Sequence, residues 1–176
     1  KLIGSILGSM DNLKGKRIAN IHHDSAYGKE TKPILEKQAE IYGFTLDHFP
    51  VAHPGLDQKA TWLNIRRYEP DFVILRGWGV MTQTSLKEAS RAGISADKII
   101  GVTWSCSEQD TIPAGQAAVG YRCASFTGAG KDYPIINDIK SYVYAKGNGS
   151  GPEEAVGTQL YKNGLVMIFF TIEAIK

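Results

Sequence analysis

Short apolar runs alternate with stretches of helical periodicity over the first 145 residues of the chain. The first run, KRIANIHH at 16–23, has the Ile content of a buried strand, and residues 27–43 then carry apolar side chains at helical spacing. Further apolar runs follow at 44–51, 71–75, 98–104 and 117–126. This alternation predicts an α/β fold, a doubly wound open parallel sheet with helices on both faces.

The charged residues are nearly balanced, with 20 Lys and Arg against 18 Asp and Glu, and they are spread along the chain. A net charge of +2 is too small to indicate binding to nucleic acid or to an anionic membrane. The longest apolar run, LVMIFFTI at 165–172, is much shorter than the roughly 18–20 residues that a membrane-spanning helix needs. We therefore expect a folded protein that has no nucleic-acid partner.

One linker-like stretch, AKGNGSGPEE at 145–154, divides the chain. We expect residues 1–147 to form one lobe and residues 148–176 to contain a linker followed by a helix. This helix becomes apolar almost all round, so its surface must be buried. It either packs on the sheet or contacts a part of the protein outside this sequence, and we favour the second. No signal peptide is visible and the sequence opens on Lys1, so we also expect an export signal or an upstream domain to precede it.

The motifs of metal sites, nucleotide sites and hydrolases are weak or absent. His22 and His23 are neighbours on a strand, so their side chains point to opposite faces and do not suit one metal ion. No G-x-G-x-x-G follows the first strand and no G-x-S-x-G elbow occurs, so we expect no metal, no cofactor and no hydrolase. Cys106 is a candidate nucleophile, although a lone cysteine near a strand end is more often a small buried hydrophobe. We predict a protein that is not an enzyme, and the spacing leaves open whether Cys106 and Cys123 form a disulfide.

Polar and aromatic residues follow the predicted strands at the edge where open parallel sheets bind ligands. These residues are Asp24, Ser25, Ala26 and Tyr27 after the first strand, Arg76, Gly77 and Trp78 after the third, and Thr103, Trp104 and Ser105 after the fourth. Tyr27, Trp78 and Trp104 therefore meet on one rim, with hydroxyl groups and one guanidinium among them. Flat apolar walls with a few oriented polar groups are typical of a small-molecule pocket. The alternative is that each aromatic side chain packs onto a helix end.

The segments KGKRIANIHHDSAYGKE, GFTLDHFPVAHPGLD and PDFVILRGWG…LKEASRAGI occur in the order and spacing of a known family. The chain resembles the type I solute-binding proteins of ABC importers, and most closely the branched-chain amino acid (Leu/Ile/Val) type. D-S-x-Y-G after the first strand is the most specific of these motifs. The resemblance runs from about residue 14 to residue 145 and covers only the second of the two lobes of such proteins. The terminal AVGTQLYKNGLVMIFFTIEAIK resembles the helix that returns to the first lobe after the hinge.

The resemblance implies a protein that binds a ligand and catalyses no reaction. It implies an extracytoplasmic protein, periplasmic or lipid-anchored, that binds a small metabolite between two lobes and passes it to the membrane permease of an ABC transporter. The partners would then be the ligand, the permease and the missing N-terminal lobe. The same fold also serves as the ligand-sensing domain of receptors and regulators, which is the alternative interpretation. A third hypothesis, an enzyme that uses Cys106, has no motif to support it.

Residue by residue, the resemblance makes Tyr27 the ligand-facing aromatic of the second lobe and places Trp78 where the family has another aromatic, in the loop after the third strand. Thr103 lies where amino-acid binders have a carboxylate for the ligand's ammonium group, and a hydroxyl cannot pair with an ammonium in that way. We therefore expect an aromatic or other carboxylated metabolite, with Trp104 stacking on it and Arg76 meeting its acid group. The predicted ligand-binding residues are Tyr27, Trp78, Thr103, Trp104, Ser25, Ala26 and Arg76.

Overall fold

The computed structural model describes residues 1–176 of the chain and divides into two units, Lys1–Ala124 and Ser125–Lys176. The strands, all in the first unit, are β1 (Arg17–His23), β2 (Thr45–Val51), β3 (Phe72–Arg76), β4 (Ile99–Gly101) and β5 (Arg122–Cys123). The helices of this unit are α1 (Leu2–Ile6), α2 (Ala26–Lys29), α3 (Lys32–Tyr42), α4 (Lys59–Tyr68), α5 (Val80–Arg91) and α6 (Glu108–Thr111). The second unit contains α7 (Pro134–Tyr142) and α8 (Gln159–Ile175). Short 3-10 helices cover Asp11–Leu13, Ala96–Lys98, Thr103–Ser105, Ile112–Ala118, Tyr144–Lys146 and Glu153–Ala155.

The strands form one open parallel sheet in the order β2-β1-β3-β4-β5. This confirms the predicted α/β fold class. The chain leaves β1 towards β2 on one side and later returns to β3 on the other side, so the order reverses between β1 and β3. In sheets of this kind the loops at such a reversal diverge and leave a crevice beyond the carboxyl ends of the strands.

Two apolar clusters cover the two faces of the sheet. Successive side chains of β1 point to opposite faces, so Ala19 and Ile21 join one cluster and Ile18 joins the other. The first cluster includes Val73, Leu75 and Ile99 from the sheet and Trp62, Ile65, Met81 and Leu86 from α4 and α5. The second includes Ile100 from the sheet and Ile3, Leu13, Phe44, Ala39 and Tyr42 from α1, α3 and their surroundings. Burial on both faces explains why β3 and β4 are apolar over most of their length.

A buried polar group interrupts the second face towards the carboxyl ends of β1 and β2. The amide nitrogen of Asn20 lies 3.0 Å from Nδ1 of His48, and the rings of His22 and His48 are 6.1 Å apart. Nε2 of His48 lies 3.3 Å from a carboxylate oxygen of Glu36. Burial lowers the pKa of both His22 and His48 below the ordinary value of 6.5. Both imidazoles are therefore held in their neutral form near pH 7.

Several element boundaries differ from the sequence-based expectation. The helix expected at 27–43 is divided into α2 and α3, because Pro33 has no N–H group with which to continue α2. The strand expected at 98–104 ends at Gly101, and the following residues form the 3-10 turn Thr103–Ser105. The strand expected at 117–126 is reduced to the two residues of β5, since the residues before it form a 3-10 helix with Pro113 in its first turn.

The second unit consists of α7 and α8 with the segments around them. Lys162 of α8 is buried and its ammonium group donates to the carbonyl oxygens of Gly128 and Gly130, each at 2.5 Å. Beyond Val166 the helix carries exposed large apolar side chains, namely Met167, Ile168, Phe169, Phe170, Ile172 and Ile175. None of the helices in this structure combines the length and the apolar character that crossing a membrane requires.

Candidate ligand-binding site

The turn from β1 into α2 fixes the position of Tyr27. Ser25 is the N-cap of α2 and its hydroxyl accepts from the N–H of Gly28 at 3.4 Å. A side chain at position 28 is excluded, because a Cβ atom there would lie 1.8 Å from the carbonyl oxygen of His23. Asp24 pairs with Lys29 at 2.5 Å across the same turn. The D-S-x-Y-G motif is thus a compact strand-to-helix turn that presents Tyr27 at the edge of the sheet.

Arg76 at the end of β3 holds Tyr27 from the neighbouring strand. Its Nε donates to the backbone oxygen of Tyr27 at 2.9 Å, and its guanidinium carbon lies 4.2 Å from the centre of the Tyr27 ring. The guanidinium also forms an ion pair with Glu30. Arg76 is buried, so in this structure it positions Tyr27. Its expected contact with an acid group of the ligand stays a prediction.

Trp78 lies in the loop after β3, between two glycines. Gly79 has the left-handed φ of 56° that glycine adopts readily, and its N–H donates to the carboxylate of Asp110 at 3.1 Å. The Trp78 ring contacts the ring of His23 with centroids 4.4 Å apart, and that of Tyr27 with centroids 5.1 Å apart in an edge-on arrangement. The side chain nevertheless remains 39% exposed. Trp78 thus joins the ends of β1 and β3 and still presents a surface to solvent.

Two histidines extend this arrangement and were not among the predicted site residues. Nε2 of His23 lies 3.2 Å from Nδ1 of His53, which belongs to the loop after β2. Burial is the main cause that lowers the pKa of His23, and the neighbouring His53 lowers it further. We refer to His53, His23, Trp78 and Tyr27 as the aromatic row. His53 follows the second strand as Trp78 follows the third, so its place after a strand end was the signal that could have found it.

Thr103 and Trp104 lie at the same edge of the sheet, after β4. Thr103 is half-buried, and Trp104 is 48% exposed and makes no ring contact with the aromatic row. Of the other predicted residues, Ala26 is exposed at the start of α2. The structure therefore brings Tyr27 into direct contact with both Trp78 and Arg76 and leaves Trp104 as a separate exposed ring.

Cys106 and Cys123 form a disulfide, and the chain has no free cysteine. This answers the question that the spacing left open. A cysteine in a disulfide is not a thiolate nucleophile. The enzyme hypothesis therefore loses the one residue on which it depended.

The chain matches the family model described as periplasmic binding protein over residues 2–176. No curated protein matches the sequence. A solved structure from the Pseudomonas fluorescens group, described as an ABC transporter permease, is 43% identical with a TM-score of 0.90; the alignment covers 99% of this chain and 42% of that one. The chain thus spans about two fifths of the length of that protein.

Two more distant structures show the fold alone. A branched-chain amino acid ABC transporter protein from Thermus thermophilus with bound valine has a TM-score of 0.79 at 23% identity, covering 98% of this chain and 45% of that one. A solute-binding protein of an ABC transporter from R. palustris in complex with benzoate has a TM-score of 0.59 at 16% identity, covering 85% and 41%. The sheet order, the turn at Tyr27 and the family match agree with one another. The chain belongs to the periplasmic binding protein family, whose members are extracytoplasmic proteins that bind solutes.

Proposed function

We propose that this chain is the C-terminal lobe of the solute-binding component of an ABC importer. The aromatic row carries this proposal: it lies at the carboxyl ends of β1 and β3, where an open parallel sheet binds ligands, and Trp78 keeps an exposed face there. Two lobes of such a protein close around the ligand by a hinge motion, which ligand contacts with both lobes stabilise. The protein then presents the closed form to its membrane permease and performs no chemistry.

The charges at this edge support a ligand without an ammonium group. Asp24 pairs with Lys29, Glu30 pairs with Arg76, and the carboxylate of Asp110 accepts from a backbone N–H. Each of these carboxylates is thus already engaged. Thr103 offers a hydroxyl where an amino-acid binder needs a negative charge.

The exposed indole rings support a flat ligand. Trp78 and Trp104 each present a ring surface at the same edge, and stacking on such surfaces favours planar, apolar groups. We therefore propose an aromatic or other carboxylated metabolite. The structural neighbours include one protein solved with benzoate and one with valine, so the fold accommodates both kinds of ligand.

The rest of the protein supplies the other wall of the pocket. We propose that residues 1–147 belong to one lobe and that the segment 148–176 connects it to an N-terminal lobe. Two facts support this: the chain spans only 42% of the most similar structure described above, and the second half of α8 exposes a continuous set of large apolar side chains. We further propose that the protein is periplasmic or lipid-anchored, where the disulfide is stable because the compartment is oxidising.

Calorimetric titration of the two-lobed protein tests the ligand class. Benzoate and 4-hydroxybenzoate represent aromatic acids, and leucine and valine represent aliphatic amino acids. We expect binding of an aromatic acid and none of leucine or valine. Tight binding of leucine or valine with no binding of the aromatic acids would refute the proposed ligand class and retain the solute-binding function.

A further inference from the structure

The turn that carries Thr103 and Trp104 is linked to β5, the shortest strand of the sheet. The turn follows β4 and leads into Cys106, which is bonded to Cys123 in β5. β5 pairs with β4 through only two residue pairs. An edge strand this short contributes few backbone hydrogen bonds. The disulfide is the covalent cross-link between the residues that follow the turn and this edge strand.

Tyr121 adds a second tie between the same two segments. Its hydroxyl lies 3.0 Å from the hydroxyl of Ser105 and 3.1 Å from the Ser105 carbonyl oxygen. The Ser105 hydroxyl in turn donates to the carbonyl of Val102 at 2.9 Å. Gly101 leaves room for this contact, because a Cβ atom there would lie 1.7 Å from the Tyr121 oxygen. Both ties end on the residues directly after Trp104.

We propose that the Cys106–Cys123 disulfide positions the Thr103–Trp104 turn for the ligand, so that the oxidised form binds the ligand more tightly than the reduced form. This rests on the proposed function of the sheet edge as the binding site. A dithiol reductant breaks the S–S bond by exchange, leaves as its own cyclic disulfide and converts both cysteines to thiols. Of the two ties to the segment that contains β5, the turn then keeps only the Tyr121 contact. If it holds the bound conformation a tenth of the time, affinity falls about tenfold.

Hydrogen exchange and calorimetry together test this inference. The oxidised wild type, the wild type reduced by dithiothreitol and the double variant C106S/C123S are compared, with benzoate as the probe ligand. The amides of Ser105 and Cys106 report the turn directly, because they donate to Val102 and Thr103 within it. The control is Leu86→Ala in the buried cluster beneath α5, which lowers stability without touching the turn.

We expect faster exchange of these two amides and a roughly tenfold weaker benzoate affinity in both samples that lack the disulfide, with neither change in the control. Unchanged exchange in the reduced wild type overturns the inference, and so does faster exchange with unchanged affinity. If benzoate does not bind the oxidised wild type, the proposed ligand class fails instead. The exchange rates, read without any ligand, then decide whether the disulfide positions the turn.

Discussion

The indole of Trp78 lies against the imidazole of His23, with ring centroids 4.4 Å apart and 37° between the ring planes. His23 ends β1 and Trp78 follows β3, so this contact joins two neighbouring strands at the point where the strand order reverses. Trp78 also contacts Tyr27, and His23 contacts His53. The rings thus support one another before any ligand arrives, which reduces the ordering cost of binding.

Replacing Trp78 by alanine removes the central ring of the aromatic row. Buried aromatic anchors contribute about 2 kcal/mol or more to binding, so we expect roughly thirtyfold weaker ligand affinity in calorimetry. Leu63→Ala on α4 is the matched control, since Leu63 is 42% exposed and belongs to neither loop of the site. Equal affinities of the Trp78 variant and the wild type would show that the ligand does not contact this ring.

Arg76 and Glu30 form an ion pair but should respond very differently to substitution. Arg76→Lys loses the Nε donor to Tyr27 and the stacked guanidinium, and we expect the free energy of unfolding to fall by about 1.5–3 kcal/mol. Glu30→Gln removes a charge whose side chain is 61% exposed, and we expect a loss of at most about 1 kcal/mol. Urea unfolding measures both. A larger loss for the Glu30 variant would contradict the positioning role of Arg76.

Gly28 should be intolerant of even one methyl group. The added Cβ would lie 1.8 Å from the His23 carbonyl oxygen, which is backbone and cannot rotate away. We expect Gly28→Ala to cost about 2–3 kcal/mol of unfolding free energy and to weaken ligand binding, because α2 and Tyr27 must shift. Gly164→Ala is the control: Gly164 lies within α8, has no atom near its Cβ position, and should gain about 0.5–1 kcal/mol. Thermal unfolding measures the stability of both variants. A Tm that is higher for Gly28→Ala than for Gly164→Ala would contradict this prediction.

The buried histidines make stability depend on pH. Burial lowers the pKa of His22, His23 and His48 in the folded state; Lys32 adds to the effect at His22 and His48, while Glu36 opposes it at His48. Between the lowered pKa values and the ordinary 6.5, the unfolded chain binds more protons than the folded one, so stability is full above 6.5 and falls as the pH drops below it. Each unit of depression is worth ~1.4 kcal/mol.

Urea unfolding at a series of pH values between 7.5 and 5 measures this dependence. We expect the free energy of unfolding to decrease towards the acid end, and His48→Gln to show a shallower decrease because one of the three titrating groups is gone. A wild-type stability that stays level or rises on acidification would contradict neutral burial of these side chains.

The second half of α8 should make the isolated chain self-associate. Phe170 is 74% exposed and its apolar neighbours form a contiguous surface, whereas soluble monomers rarely expose such patches. We expect Phe170→Lys to shift sedimentation velocity profiles towards monomer. Ile34→Lys on α3, where the replaced side chain is 63% exposed in the other unit, should have no such effect. A wild-type chain that sediments as a monomer at all concentrations would remove the need for a covering lobe.

The fold was predictable because each central strand is buried on both faces. A run such as DFVIL, preceded by Pro70 and followed by Arg76 and Gly77, has few other interpretations, and the alternation with helices then requires parallel strands. The lengths of β4 and β5, at one edge of the sheet, were not predictable in the same way. β4 and β5 are much shorter than the apolar runs that contain them, because the residues after β4 form the 3-10 turn Thr103–Ser105 and those before β5 form a 3-10 helix.

The candidate site was predictable only as a set of strand ends. Position after a strand indicated Tyr27 and Trp78 as candidates, but it could not show that Arg76 stacks on Tyr27 or that His23 contacts Trp78. These contacts join residues about 50 positions apart in sequence, and they depend on side-chain directions that strand pairing sets. The pairing of Cys106 with Cys123 could not be predicted for the same reason, since sequence spacing alone does not show that two cysteines lie close together.

The central claim is that the aromatic row binds a small molecule, and a paired thermal-shift screen tests it most directly. The two-lobed wild type and its Trp78→Ala variant are screened against the same panel of aromatic acids, amino acids, sugars and short-chain acids. A ligand present at 100 times its Kd stabilises the native state by about 2.7 kcal/mol, which is readily detected as a higher Tm. We predict an aromatic acid that raises the Tm of the wild type much more than that of the variant, because thirtyfold weaker binding leaves only about 0.9 kcal/mol of this stabilisation. An equal rise in both proteins, or no rise with any compound, would contradict the account.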